Sequence, residues 1–172
     1  MKTLNWRHTD WFAKNFIFTM ERQIIGQLTF NSSWNFNALY TDKQTKLQFV
    51  QKSFWDRNVL ITKDGKTIGE IHLGLFGEQT LKLVTGERFI LSTSFWEQEV
   101  YWKTEKGETI IKYQQATMSS MGKGLISSED SLTIETEKLL ISSGIFVRQL
   151  TRKRRAMTVA ILIPIIAAAS RQ

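Results

Sequence analysis

From about residue 14 to residue 136 the chain alternates short runs of apolar-periodic sequence with turn signals, at the spacing of an antiparallel meander. The clearest unit is 59–73. Val59 and Ile61 alternate with Leu60 and Thr62, Asp64-Gly65 makes the turn, and Ile68, Glu70 and His72 interleave with Gly69, Ile71 and Leu73. Asp-Gly between two such runs signals a hairpin, because a type I′ turn needs positive φ at both central positions. Similar hairpins are expected over 80–92, around Thr85-Gly86, and over 100–115, around Lys106-Gly107. Upstream, 15–19, 23–30, 36–40 and 46–51 read as strands, separated by Glu21-Arg22, Asn31-Ser32-Ser33 and Asp42-Lys43; downstream, 124–127 and 132–135 bracket Ser128, Glu129 and Asp130. About twelve strands are thus expected, with no Pro anywhere in the region to break a ladder.

An open sheet this wide would leave two long edges exposed, so closure is favoured. A barrel of that size has a lumen wider than its own side chains can fill. The sequence offers a filler. Over 138–152, Leu139, Leu140, Ile141, Ile145, Phe146, Val147 and Leu150 are spaced by Ser142, Ser143 and Gly144, which makes a helix apolar or small on nearly every side. Glu135 and Glu137 precede it and Arg148 to Arg155 follow, the polarity a helix dipole favours. The expected organisation is one β-barrel domain over 1–152 with a central helix at about 138–152, then a basic and apolar tail over 153–172.

Charge sharpens the picture of that tail. Of 23 Lys and Arg, seven lie from Lys138 onward, where there is no Asp or Glu, so the rest of the chain carries sixteen of each sign. The net charge of +7 belongs wholly to the C-terminal part. Arg152, Lys153, Arg154 and Arg155 form a collar, and 156–169 is an uncharged apolar stretch with Pro164 inside it. As a helix that stretch is roughly 21 Å long, short of the roughly 30 Å hydrocarbon core. Extending the span back to Leu139 would bury five cations in mid-membrane, so a continuous transmembrane helix is not expected. Two readings remain. In one, Arg148, Arg152, Lys153, Arg154 and Arg155 contact anionic lipid at roughly 1 kcal/mol per cation, while Met157, Val159, Ile161, Leu162, Ile163, Ile165 and Ile166 insert partly into the bilayer. In the other, 156–169 itself plugs the barrel, or folds over it, and the collar is merely solvated.

Candidates for chemistry are few. The chain has no Cys, which excludes disulfides, thiolate metal sites and cysteine enzymes. His8 and His72 are far apart, and neither has the carboxylate neighbours of a metal site, although Asp10 lies near the first. Ser119-Ser120, Ser127-Ser128 and Ser142-Ser143 lack a nucleophile elbow, and Glu97 and Glu99 at i, i+2 in a strand share an ordinary charged face. The six Trp read as core before they read as stacking platforms. No catalytic residue, cofactor or small-molecule substrate is expected. The first ten residues have no apolar h-region, which argues against a secretory signal. The expectation is a non-enzymatic cytoplasmic protein peripheral to membrane. A nucleic-acid-binding module using the collar and exposed aromatics is the alternative.

The Asp64-Gly65 and Lys106-Gly107 hairpins, the aromatic stretch from Phe95-Trp96 to Tyr101-Trp102, and the apolar 139–150 segment after the last strand together resemble the tubby-like superfamily. That superfamily includes the tubby C-terminal domain, the phospholipid scramblases and the plant LURP-one-related proteins. The likeness covers roughly 14–152. It implies a twelve-stranded barrel around a central C-terminal helix, and a lipid-associated or scaffolding role. The acidic pair Glu129 and Asp130 is too small a ligand set to carry over a calcium site.

Overall fold

The computed structural model describes residues 1–31, 36–53, 56–74, 78–93, 99–116 and 122–169, with side chains to residue 156. Twelve strands follow one another: β1 (Lys2–His8), β2 (Asn15–Met20), β3 (Gln23–Phe30), β4 (Ala38–Thr41), β5 (Lys46–Val50), β6 (Asn58–Lys63), β7 (Lys66–Leu73), β8 (Gln79–Leu83), β9 (Arg88–Thr93), β10 (Glu99–Thr104), β11 (Thr109–Gln115) and β12 (Lys123–Ser128). Each pairs antiparallel with its sequence neighbour, and β1 pairs with β12, so the sheet is a closed barrel with no free edge. Alternation sets the faces: in β6 Val59 and Ile61 point inward, and in β1 Leu4 and Trp6 do so. The β6–β7 turn has φ of 51° at Asp64 and 77° at Gly65, and the β2–β3 turn has 50° at Glu21 and 69° at Arg22, the two-residue geometry expected of the first.

The strand number agrees with the sequence reading, but two of its members differ. β1 lies before the expected start of the barrel and supplies the closing seam, with Trp6 opposite Gly124 on one side and Phe18 on the other. The 132–135 segment is not a strand. Its Thr133 caps a helix, accepting the Thr136 N–H at its hydroxyl (3.2 Å) and the Glu137 N–H at its carbonyl (2.9 Å). The alternation of Leu132 and Ile134 imitated a strand where the chain was turning into the barrel.

The helix α1 (Ile134–Ala169) runs for 36 residues, about 54 Å. Residues 139–147 are buried without interruption, which puts every helical face inside, and Leu150 is buried too. The lumen-filling segment is therefore the expected one, 139–150, and not 156–169. On one side the Trp102 Nε1–H and the Tyr113 hydroxyl donate to the Leu140 carbonyl (3.0 and 2.6 Å). On another, the Phe146 ring stacks against Phe49 (4.7 Å) and Phe30 (5.6 Å). Ser142 and Ser143 return their hydroxyls to carbonyls of their own helix, so the small stripe leaves no buried donor unmet. Backbone continuity past residue 152 differs from the expected division into helix and tail. Arg and Lys are good helix formers, so the collar does not interrupt the helix.

Ion pairs fix the entry of the helix. Lys138 meets Asp42 (2.9 Å), Glu135 meets Lys63 (2.7 Å) and Glu137 meets Lys2 (3.2 Å) and the Ser128 hydroxyl. This end of the barrel also carries the tight, polar hairpin turns. The opposite end carries the longer connections, 9–14, 31–37, 51–57, 74–78, 94–98 and 116–122, and there the helix leaves. Several residues singled out in the sequence, Ser32, Ser33, Phe95, Trp96, Glu97, Ser119 and Ser120, fall in these connections outside the described residues.

Candidate functional site

The five cations assigned to lipid contact all lie where α1 emerges, but they do not form one patch. Helical spacing puts Arg148, Arg152 and Arg155 on one face, and they line a cleft of about 400 Å³ with Thr151, Glu78 and Gln79. The Gln79 amide donates to the Thr151 hydroxyl (3.2 Å), joining β8 to the helix. Arg148 is half-buried. Its guanidinium donates to the Gln115 side-chain carbonyl and sits 5.3 Å from the Trp6 ring, while its other terminal nitrogen is buried without an acceptor. Burial, and then the like charge of Arg152, push it down to about 10.

Lys153 and Arg154 point elsewhere. The Lys153 ammonium lies 4.5 Å over the Phe30 ring; burial first, and Lys14 second, lower its pKa against the opposing pull of Asp10. Arg154 donates to the Asp56 carbonyl (2.6 Å), and burial lowers its pKa despite the nearby Asp56 carboxylate. The two side chains lean on the rim as struts. Arg152 and Arg155 remain exposed, and the helix backbone carries on beyond them. The side chains of Met157, Val159, Ile161, Leu162, Ile163, Ile165 and Ile166 lie outside the described residues, on a backbone that is helical to Ala169. Among the described residues no helix is long and apolar enough to cross a membrane.

The remaining sequence candidates have structural partners. His8 accepts the Gly122 N–H at Nε2 and its Nδ1 lies 2.8 Å from the Asp10 carbonyl, tying two connections together. His72 Nδ1 is 2.8 Å from the Asn58 side-chain oxygen. Glu99 is held down to about 2 by the Lys112 ammonium (2.8 Å), then by the Tyr101 hydroxyl and the Gln114 amide (2.9 Å), which makes it a saturated carboxylate on the outer face. Ser128 is buried against Glu137.

Sequence reasoning placed the six Trp in the core and gave Phe12 no role, yet Trp11 and Phe12 are the most exposed aromatic rings among the described residues, at 81% and 75%, so Trp11 departs from that expectation. They sit on the 9–14 connection at the same end as the collar. The signal available in sequence was the pair itself, two adjacent rings in a segment with no alternation. No protein-family model, curated protein or solved structure matches this chain.

Proposed function

We propose that the protein is a non-enzymatic, membrane-peripheral module of tubby-like architecture that binds anionic phospholipid through the C-terminal part of α1. One observation carries the reading. Because 139–150 occupies the lumen, the uncharged apolar 156–169 segment continues past the rim with no lumen left to receive it. An apolar helix of that length has two favourable environments, a protein partner or a bilayer interface. The exposed guanidinium groups of Arg152 and Arg155 at its base favour an anionic surface. Residues 1–137 carry sixteen charges of each sign, so the net positive charge of the chain belongs to the part that holds these groups.

The test is co-sedimentation of the full chain with vesicles of phosphatidylcholine, alone or mixed with phosphatidylserine. Binding is expected on the anionic vesicles only. It should fall with added salt and weaken about tenfold in Arg152→Glu/Arg155→Glu. It should be lost in Ile161→Asp/Ile165→Asp, a pair placed beyond the lumen-filling 139–150 segment in sequence. A full-length protein that stays in the supernatant with anionic vesicles, and instead binds a single-stranded oligonucleotide, would move the assignment to nucleic acid.

A further inference from the structure

The 9–14 connection is built to hold its rings outward. Both Asp10 carboxylate oxygens accept the Lys14 N–H (3.0 and 3.1 Å), and Oδ2 also accepts the Asn15 N–H (2.7 Å). The Asp10 carbonyl accepts from Ala13 N–H (3.2 Å) and contacts His8. Ala13 adopts a left-handed backbone, φ 48°, which closes the loop, and the Gln149 amide donates to its carbonyl (3.3 Å), fastening the loop to α1 one turn before it leaves the barrel. The Thr9 N–H donates to the Asn15 carbonyl (2.9 Å) and the Phe30 N–H to the Lys14 carbonyl (2.8 Å), so both loop stems are paired as well. Two large rings are thus displayed on a loop whose backbone has almost no freedom left to lose on binding, the arrangement that makes burial of those rings most favourable.

We propose that Trp11 and Phe12 are an interfacial anchor that seats in the headgroup region of an anionic bilayer, so that the barrel stands end-on with the exit of α1 against the membrane. The inference rests on the proposed lipid binding and adds a second, separate contact to it. Charge complementarity selects the occupant. The Lys14 ammonium lies 5.8 Å over the Phe12 ring, and elsewhere on the same end of the barrel Lys52, Arg57, Arg152 and Arg155 are exposed against the exposed Glu78, whereas Asp10 spends its oxygens on its own loop and Asp56 caps the Asn58 N–H (2.9 Å). Exposed aromatic rings with an ammonium over one of them, on an end that carries more exposed cations, match the headgroup layer, where amphipathic rings settle and anionic lipid supplies the counter-charge. At the other end of the barrel the exposed apolar residues Met1, Met20, Ile24, Val84 and Ile134 carry no aromatic ring.

The chain has no Cys, so a single reporter can be placed without background. Phe12→Cys carrying a polarity-sensitive nitrobenzoxadiazole group is compared with Thr85→Cys, labelled identically at the opposite end, both in the full chain with phosphatidylcholine–phosphatidylserine vesicles. The expected result is a blue shift at position 12 and none at 85, with Trp11→Ser lowering vesicle partitioning about tenfold. If the chain pellets with vesicles while position 12 stays unshifted, the anchor is overturned and the lipid-binding reading survives. If it neither pellets nor shifts, both fall. A shift at 12 that grows with protein concentration in the absence of vesicles also overturns the proposal, because the rings then meet a second copy of the chain.

Discussion

A methyl group added at Gly144 would lie 2.3 Å from the Tyr113 hydroxyl oxygen, so the close approach that lets Tyr113 reach the Leu140 carbonyl exists only because the helix has no side chain there. Gly144→Ala removes a flexible residue from a helix, which by propensity alone stabilises it by roughly 1 kcal/mol. The overpacking outweighs that gain, and a net loss of about 1–3 kcal/mol is expected in urea unfolding. Asp42 gives a second residue-scale test. Burial raises its carboxyl, but the Gln44 N–H, the Lys138 ammonium and the Thr45 N–H together hold it below its ordinary value. Since the folded-state value is the lower one, the unfolded chain binds more protons in acid. The stability from this group is complete above about pH 4 and drains as the pH falls through the folded value. Asp42→Asn should be less stable at neutral pH, because Lys138 loses its partner, and should show a shallower loss on acidification than the native chain. Urea midpoints measured at about pH 7 and about pH 3 check both. The residue types of the collar were legible in sequence, but their partners were not. Lys153 on Phe30 and Arg154 on the Asp56 carbonyl are pairings between segments far apart in the chain, and no local pattern announces them.

At the scale of elements, hairpins were readable wherever a turn needs unusual backbone, as at Asp64-Gly65, because the requirement falls on adjacent residues. The central helix was readable from its all-round apolar character. Its limits were not: the capping role of Thr133 competes with a strand-like alternation, and a run of Arg and Lys has no reason to stop a helix. β1 escaped because only Leu4 and Trp6 face inward between polar residues that would look the same in a loop. Its importance is nonetheless large, since it pairs with both β2 and β12. Deleting residues 1–8 would create two edges at once and leave Glu137 without Lys2. The expected outcome is loss of cooperative thermal unfolding and of near-ultraviolet dichroism from the buried Trp102.

For the whole molecule, the decisive property is that the two ends of the barrel differ. The entry end is closed by ion pairs and polar turns, and the exit end gathers cations, exposed rings and the departing helix. That asymmetry is invisible to a reading along the chain, because it separates odd-numbered from even-numbered connections. Strand pairing was needed to sort them. Closure itself followed from the number of strands, and the lumen-filling rod followed from closure.

The rod is also the last described element, and the strand that seals the sheet is the first. A growing chain therefore lacks its filler until all twelve strands have been made, and its seam stays open nearly as long, because β1 must wait for β12. Assembly waits on the synthesis of the whole sheet, with long-range pairings of the kind that form slowly. Until the rod arrives, the nascent sheet presents its inner face to water, and the apolar segment that follows the rod becomes available to a membrane only after the barrel can close.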